Sequence, residues 1–214
     1  MKQREHLFIR LLESLWKQTY QNFEIVVTDN SDDVVIESIC SYYKTGIRYY
    51  RNLIKGMAQN TNEAIRRSNG ELIKILYMDD YLAHDKSLLK IVNSFADDDY
   101  WLVTGCTHIK LGDNFTQNLH YPSYSEDIHT GNNTIGSPSV LTIRNDHPMM
   151  FDENLTWLLD CDYYRRMYEV YGEPTIIRDV NVILGLHPSQ ATHTMGEERK
   201  EMEYQYMLNK YANV

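Results

Sequence analysis

An α/β fold, one domain with a mostly parallel central sheet flanked by helices, is what this sequence predicts, and three observations predict it. Short β-branched apolar runs alternate with segments of helical period, as βαβ units do. Two of those runs end in carboxylates, at Asp29 and at Asp79-Asp80, and the carboxyl edge of such a sheet is where ligands bind. The 214 residues, 43% hydrophobic, supply one sizeable core and too little chain for two comfortable domains.

The elements follow in order. Residues 5–17 place Leu7, Phe8, Leu11, Leu12, Leu15 and Trp16 at helical spacing, with Arg4, Glu5, Arg10, Glu13 and Lys17 opposite. Residues 23–28 read as a strand closed by Asp29-Asn30-Ser31-Asp32-Asp33, a cluster of turn and cap residues. A helix over 34–43, a strand over 47–50 and a helix over 56–67 come next. The turn Asn69-Gly70 launches a strand over 72–76, which runs out at Asp79-Asp80. Adjacent aspartates there suit a divalent metal held against a diphosphate through hard oxygen ligands; the plainer reading is that one of them caps the following helix, 85–95.

After a strand over 100–105 the pattern weakens. Residues 110–133 are rich in Asn, Gly, Ser, Tyr and His without a period, and 107–135 is expected to be a flexible surface loop that contacts substrate. A strand over 139–143 and a helix over 159–171 carrying Asp160, Asp162, Arg165 and Arg166 restore order. Strands over 174–177 and 181–186 lead to His187-Pro188, and a polar helix covers 197–211.

A formal charge of -9 excludes an electrostatic footing on nucleic acid or on an anionic membrane, both of which need clustered Lys and Arg. Cys40, Cys106 and Cys161 show no CxxC spacing, so neither a disulfide framework nor a zinc site is expected, and a reducing cytoplasm fits. No apolar run approaches the roughly 18 to 20 residues of a membrane-spanning helix, and the N-terminus lacks a signal-peptide core.

Four segments, LLESLWKQTYQNFEIVVTDNSDD, NLIKGMAQNTNEAIRRSNGELIKILYMDDYL, GSPSVLTIRND and LTWLLDCDYYRRM, resemble in order and spacing the family 2 glycosyltransferases. These are single Rossmann-like domains of the GT-A type that transfer a sugar from a nucleotide-sugar. The resemblance implies a nucleotide-sugar-binding half, 1–106, and an acceptor-side half, 107–214. It implies that Asp29 reads the nucleoside base with Asn30 and Ser31 beside it, that Asp79 lies near the ribose, and that Asp80 binds the metal bridging the two phosphates. It makes Asp160 the general base, matches Arg166 to an arginine further along that helix, and offers His187 as a further metal or phosphate contact.

The implied activity is inverting transfer to a hydroxyl of a glycan or lipid-linked acceptor, in cytoplasmic polysaccharide biosynthesis, with Mn²⁺ or Mg²⁺ and a UDP-sugar as the expected donor. The chemistry agrees: a divalent cation neutralises the departing diphosphate, and a carboxylate takes the acceptor's proton.

Departures from the family are informative. A further aspartate is usual where Tyr77 stands, and a glutamate where Leu159 stands. The family's first apolar strand, which would lie between the strands leading to Asp29 and Asp79, is missing here. The expectation is a gapped or re-paired sheet with exposed edges, through which copies could associate. The alternative function is a catalytically inactive truncated remnant that binds nucleotide or glycan only. A nucleotidyltransferase would need a Gly-rich loop with Arg or Lys after its first strand, which this sequence does not contain.

Overall fold

The computed structural model describes residues 2–43, 46–110, 114–188 and 190–212. Helix α1 (Lys2–Trp16) buries Leu7, Phe8, Leu11, Leu12 and Leu15, the face its period predicts, while Trp16 stays 38% exposed at its end. Strand β1 (Ile25–Asp29), helix α2 (Val35–Tyr43) and strand β2 (Ile47–Arg51) form a β-α-β unit, and β1 pairs β2 in parallel from Ile25–Ile47 to Asp29–Arg51. Helix α3 (Met57–Arg67) then leads to β3 (Leu72–Lys74).

A second sheet holds most of the molecule. Its strands are β3, β4 (Tyr81–Leu82), β5 (Trp101–Lys110), β6 (Asn114–His120), β7 (Leu141–Arg144) and β8 (Thr175–Leu186), in the order β3-β7-β5-β8-β4 with β6 on β5. Helices α4 (Ser87–Ser94), α5 (Leu159–Tyr171), the single turn α6 (Ala191–Thr194) and α7 (Glu197–Tyr211) complete the chain. Trp101, Tyr163, Tyr164, Leu102 and Leu141 are almost wholly buried between sheet and helices. The polar tips among them are satisfied: the Trp101 indole donates to Gly172 O at 3.0 Å, and Tyr163 Oη donates to Met149 O at 3.0 Å.

Three expectations are corrected. The sheet is mixed rather than mostly parallel: among the described residues only β1–β2 and β5–β8 are parallel pairings, and the other four are antiparallel. The reversals come from β6, which folds straight back on β5, and from β7, which enters between β3 and β5 in the opposite sense to both. The segment 107–135 is not one flexible loop, because residues to Lys110 extend β5 and Asn114–His120 pair back as β6. Cross-strand backbone bonds define that hairpin where the side-chain pattern NFTQNLH does not. The two late strands are one, β8, bent where its register on β5 shifts between Thr104 and Cys106.

Strands β1 and β3 do not pair with each other. Each has a partner on one side, and successive residues of both, 25–29 and 72–74, line a cavity of about 1700 Å³. Phe8, Leu11 and Leu15 of α1 with Ile36, Ile65 and Ile91 give that cavity an apolar floor. The sheet is therefore divided between the strand ending at Asp29 and the strand leading to Asp79.

Candidate functional site

The same cavity collects Asp29, Asn30, Ser31, Asp79, Asp80, Asp160 and His187 on its lining. Seven of the eight residues singled out for the site thus share one cleft, Arg166 being the exception, although more than 100 positions separate Asp79 from His187.

Asp29 ends β1 and is 6% exposed. Its Oδ1 accepts Ser31 N at 2.9 Å, while Oδ2 accepts Tyr49 Oη at 3.0 Å and faces Arg51 Nη1 at 3.1 Å. Burial pushes its carboxyl up, but these hydrogen bonds and the Arg51 charge outweigh that and hold it below the usual carboxylate range. Asn30 Nδ2 donates to Gly56 O at 2.9 Å, which ties this strand end to the start of α3. On β2, Arg51 is in register with Asp29 and Tyr49 with Val27, two residues earlier on the same face. Sequence reasoning missed them, and parallel pairing of two carboxylate- and arginine-ended strands is the signal that could have found them.

The two adjacent aspartates face opposite ways. Asp80 is 4% exposed, and its Oδ1 accepts Gly185 N at 2.9 Å. Burial, reinforced by the neighbouring Asp79 charge, pushes its carboxyl up to about 8. Asp79 is the one that meets the opposite wall: its Oδ2 lies 3.1 Å from His187 Nε2 and 3.4 Å from Gln190 Nε2, and its carbonyl accepts Arg10 Nη2 at 2.9 Å. Of the two aspartates expected at a metal and a ribose, Asp79 is the one that faces His187, and Asp80 faces the backbone of Gly185. Consecutive residues of a tight turn project to different sides, and the turn closed by Asp80 N on Tyr77 O, 3.0 Å, sends Asp80 inward. The turn can sit this close to β8 because residue 185 is glycine: a Cβ there would stand 2.3 Å from Asp79 O.

A divalent cation fits Asp79 and His187 in kind. A carboxylate oxygen and an imidazole nitrogen already converge, and His187 Nδ1 is buried without a hydrogen-bond partner. They fit it only in part, because no group of three or more His, Cys, Asp or Glu suited to a metal occurs among the described residues. Such a pair needs a diphosphate to supply further oxygens, a common arrangement for Mg²⁺-type sites.

Asp160 stands in the first turn of α5. Its Oδ1 accepts Cys161 N at 2.8 Å and its Oδ2 accepts Asn133 Nδ2 at 2.8 Å. Asn133 is itself fixed, its Oδ1 accepting Gly136 N at 2.8 Å and Ile135 N at 3.1 Å. Burial pushes the Asp160 carboxyl up to about 6 against those donors. A carboxyl there is still mostly ionised at neutral pH and is a far better base than an ordinary aspartate. Arg166 is not part of the cavity lining: it binds the wholly buried Asp162, Nε to Oδ2 at 2.8 Å, and Met150 O at 3.0 Å. Lys74, which the sequence reading passed over, lines the cavity with its ammonium on the carbonyls of Ser139, Ile75 and Leu141, and burial lowers it to about 7.

Strand β1, the turn after β3 and α5 bring these carboxylates to one cleft of an α/β domain. Residues 1–159 match the family model described as Glycosyl transferase family 2, and the chain belongs to that family. Over 214 residues it is 24% identical to WcaA of Escherichia coli (strain K12), which carries the name of a colanic acid biosynthesis glycosyl transferase; 92% of this chain and 74% of that protein are covered. Solved structures share the fold. S. aureus TarS 1–349 in complex with UDP-GlcNAc superimposes with a TM-score of 0.70 at 18% identity, covering 99% of this chain and 64% of that one. The mannosyltransferase PcManGT from Pyrobaculum calidifontis, in complex with GDP-Man and Mn²⁺, gives a TM-score of 0.63 at 13% identity over 98% and 61%. This chain spans less than two thirds of the length of either of those two. Among the described residues no helix is long and apolar enough to cross a membrane.

Proposed function

We propose that this protein transfers a sugar, with inversion, from a nucleoside-diphosphate sugar to an acceptor hydroxyl, Asp160 acting as general base. The observation that carries the reading is that Asp160, raised to about 6 and held by Asn133, shares one cavity with the Asp79–His187 pair. Asp160 takes the proton from the incoming hydroxyl on one face of the sugar while the diphosphate leaves from the other. Asp29, already ionised and braced by Arg51, receives donors of the nucleoside, with Asn30 and Ser31 shaping that end. Asp79 and His187 would hold a divalent cation, which when bound supplies positive charge to the departing diphosphate. Asp80 supports this wall through Gly185.

The ligands of the structural relatives support a UDP- or GDP-linked donor, and the name of WcaA supports a place in polysaccharide biosynthesis. A binding-only remnant is the weaker reading, because a base raised toward neutrality and held in the donor cleft serves transfer and not affinity. The test is release of nucleoside diphosphate from UDP-GlcNAc and GDP-Man with Mn²⁺, compared between wild type and Asp160→Asn. Turnover lost in the variant supports the transferase; equal slow release by both proteins would remove Asp160 from its role.

A further inference from the structure

Helix α5 begins at Leu159, and its N-cap Leu158 offers no capping side chain, so the amides at its start need an acceptor from elsewhere. The acceptor is Glu203 on α7, 45 residues away from Leu158 and 2% exposed. Its Oε2 accepts Trp157 N at 2.8 Å and Leu158 N at 3.1 Å, and Thr156 N is shared between Oε1 at 3.0 Å and Oε2 at 3.1 Å. Arg199, one turn earlier on α7, pairs with Glu203 Oε1 at 3.2 Å and donates from Nη2 to Asn154 O at 3.0 Å, so the same approach is held at a second point. The far end of α7 holds α5 again: Tyr211 Oη donates to Asp162 Oδ1 at 2.8 Å, and Lys210 Nζ lies 2.6 Å from that same oxygen.

Asp160 sits between these two grips. Thr156 and Trp157, whose amides Glu203 holds, line the cavity with Leu159 and Asp160. The geometry points to Glu203 as the positioning residue of the acceptor side: by holding from α7 the amides of 156–158 that lead into α5, it fixes where the Asp160 carboxylate and the Trp157 side chain stand in the cleft. This inference rests on Asp160 being the base. Helix α7 lies outside the residues 1–159 matched by the family model. A carboxylate is also the right charge for the site, since a helix N-terminus favours an anion. Displacing a base by about 1 Å can cost about 100-fold in rate without touching donor affinity, because orientation and binding are separable.

The experiment compares Glu203→Ala, Glu203→Gln and the exposed control Glu198→Gln in the full chain, reading kcat, acceptor KM, affinity for UDP or GDP, and backbone amide exchange. For Glu203→Ala we expect kcat to fall about 10- to 100-fold and amides 156–160 to exchange faster, with nucleotide affinity and exchange in β1 and α3 unchanged. Gln keeps one acceptor oxygen where three of the amides converge, so Glu203→Gln should recover most of the rate. Parallel loss of nucleotide affinity, kcat and global protection would show a merely structural residue and overturn the inference, as would full activity in Glu203→Ala. If Glu203→Ala does not fold, Arg199→Ala decides, because it releases Glu203 Oε1 and Asn154 O together: faster exchange confined to 154–160 supports the grip, and unchanged exchange at those amides refutes it. Should the wild type transfer no sugar, the base assignment fails, while the exchange measurement still reports separately on whether Glu203 holds α5.

Discussion

With Asp160 as the proposed base, the acid side of the pH–rate profile should follow its carboxyl, which burial raises to about 6. With the carboxyl at about 6 in place of an ordinary 3.8, its ionised fraction falls from about nine tenths at pH 7 to about one tenth at pH 5, so kcat/KM should drop about tenfold over that interval. An unperturbed aspartate would leave the rate nearly flat there. Asn133→Ala removes the 2.8 Å donor to Oδ2, which stabilises the charged form. A hydrogen bond to a charged group is worth about 1.5 to 3 kcal/mol, so the limb should move up by about one to two pH units. The linked stability change has a definite sign. The folded pKa lies above the unfolded one, so this group's stabilising contribution is complete below about pH 4 and is lost as pH rises through about 6. The assay is initial-rate kinetics from pH 4.5 to 8 for both proteins with saturating metal. A flat profile to pH 4.5, or a limb that Asn133→Ala leaves in place, would refute the assignment.

Three further outcomes follow from the geometry. Gly185→Ala places a Cβ 2.3 Å from the Asp79 carbonyl, so the turn must shift; we expect about 1 to 3 kcal/mol of lost stability in denaturant titration and weaker nucleotide binding, and an unperturbed variant would show that the contact is not tight in solution. Asp79→Asn should abolish any metal dependence of nucleotide binding, whereas Asp80→Asn, whose carbonyl can still accept Gly185 N, should keep it; the reverse pattern, read by calorimetry, would restore the metal to Asp80. An apolar hexapeptide of strand-forming sequence should slow amide exchange in β1 and β3, whose free edges border the cavity, and no protection at millimolar peptide would mean that those edges are closed in solution.

Where periodicity and end signals agree, the sequence was a good guide. Helices α5 and α7 begin and end as expected, because apolar spacing runs unbroken to Gly172 in one case and starts after Gly196 in the other. The gathering of Asp29, Asp79, Asp160 and His187 in one cleft was legible through the family resemblance, while the sequence pattern alone put them only at strand ends and at a helix start. Three things were not. The hairpin strand β6 carries only Phe115 and Leu119 as apolar residues in NFTQNLH, so its backbone pairing left no pattern. The opposite facing of Asp79 and Asp80 depends on which way a turn projects each side chain, a matter of backbone geometry rather than of composition. Long-range partners, Asn133 for Asp160, Arg51 for Asp29 and Glu203 for α5, are fixed by packing between elements far apart in the chain, which local spacing does not encode.

The central claim is that this cleft binds a nucleoside diphosphate through Asp79 and His187 with a divalent cation. Calorimetric titration of UDP, GDP, dTDP and CDP, each with and without Mn²⁺, into wild type, Asp79→Asn and His187→Ala tests it most directly. The account predicts that at least one nucleotide binds, that Mn²⁺ tightens it about tenfold or more, and that either substitution removes the metal effect. Binding indifferent to Mn²⁺ in all three proteins would contradict the metal site, and a folded protein that takes up none of the four nucleotides would contradict the donor site itself.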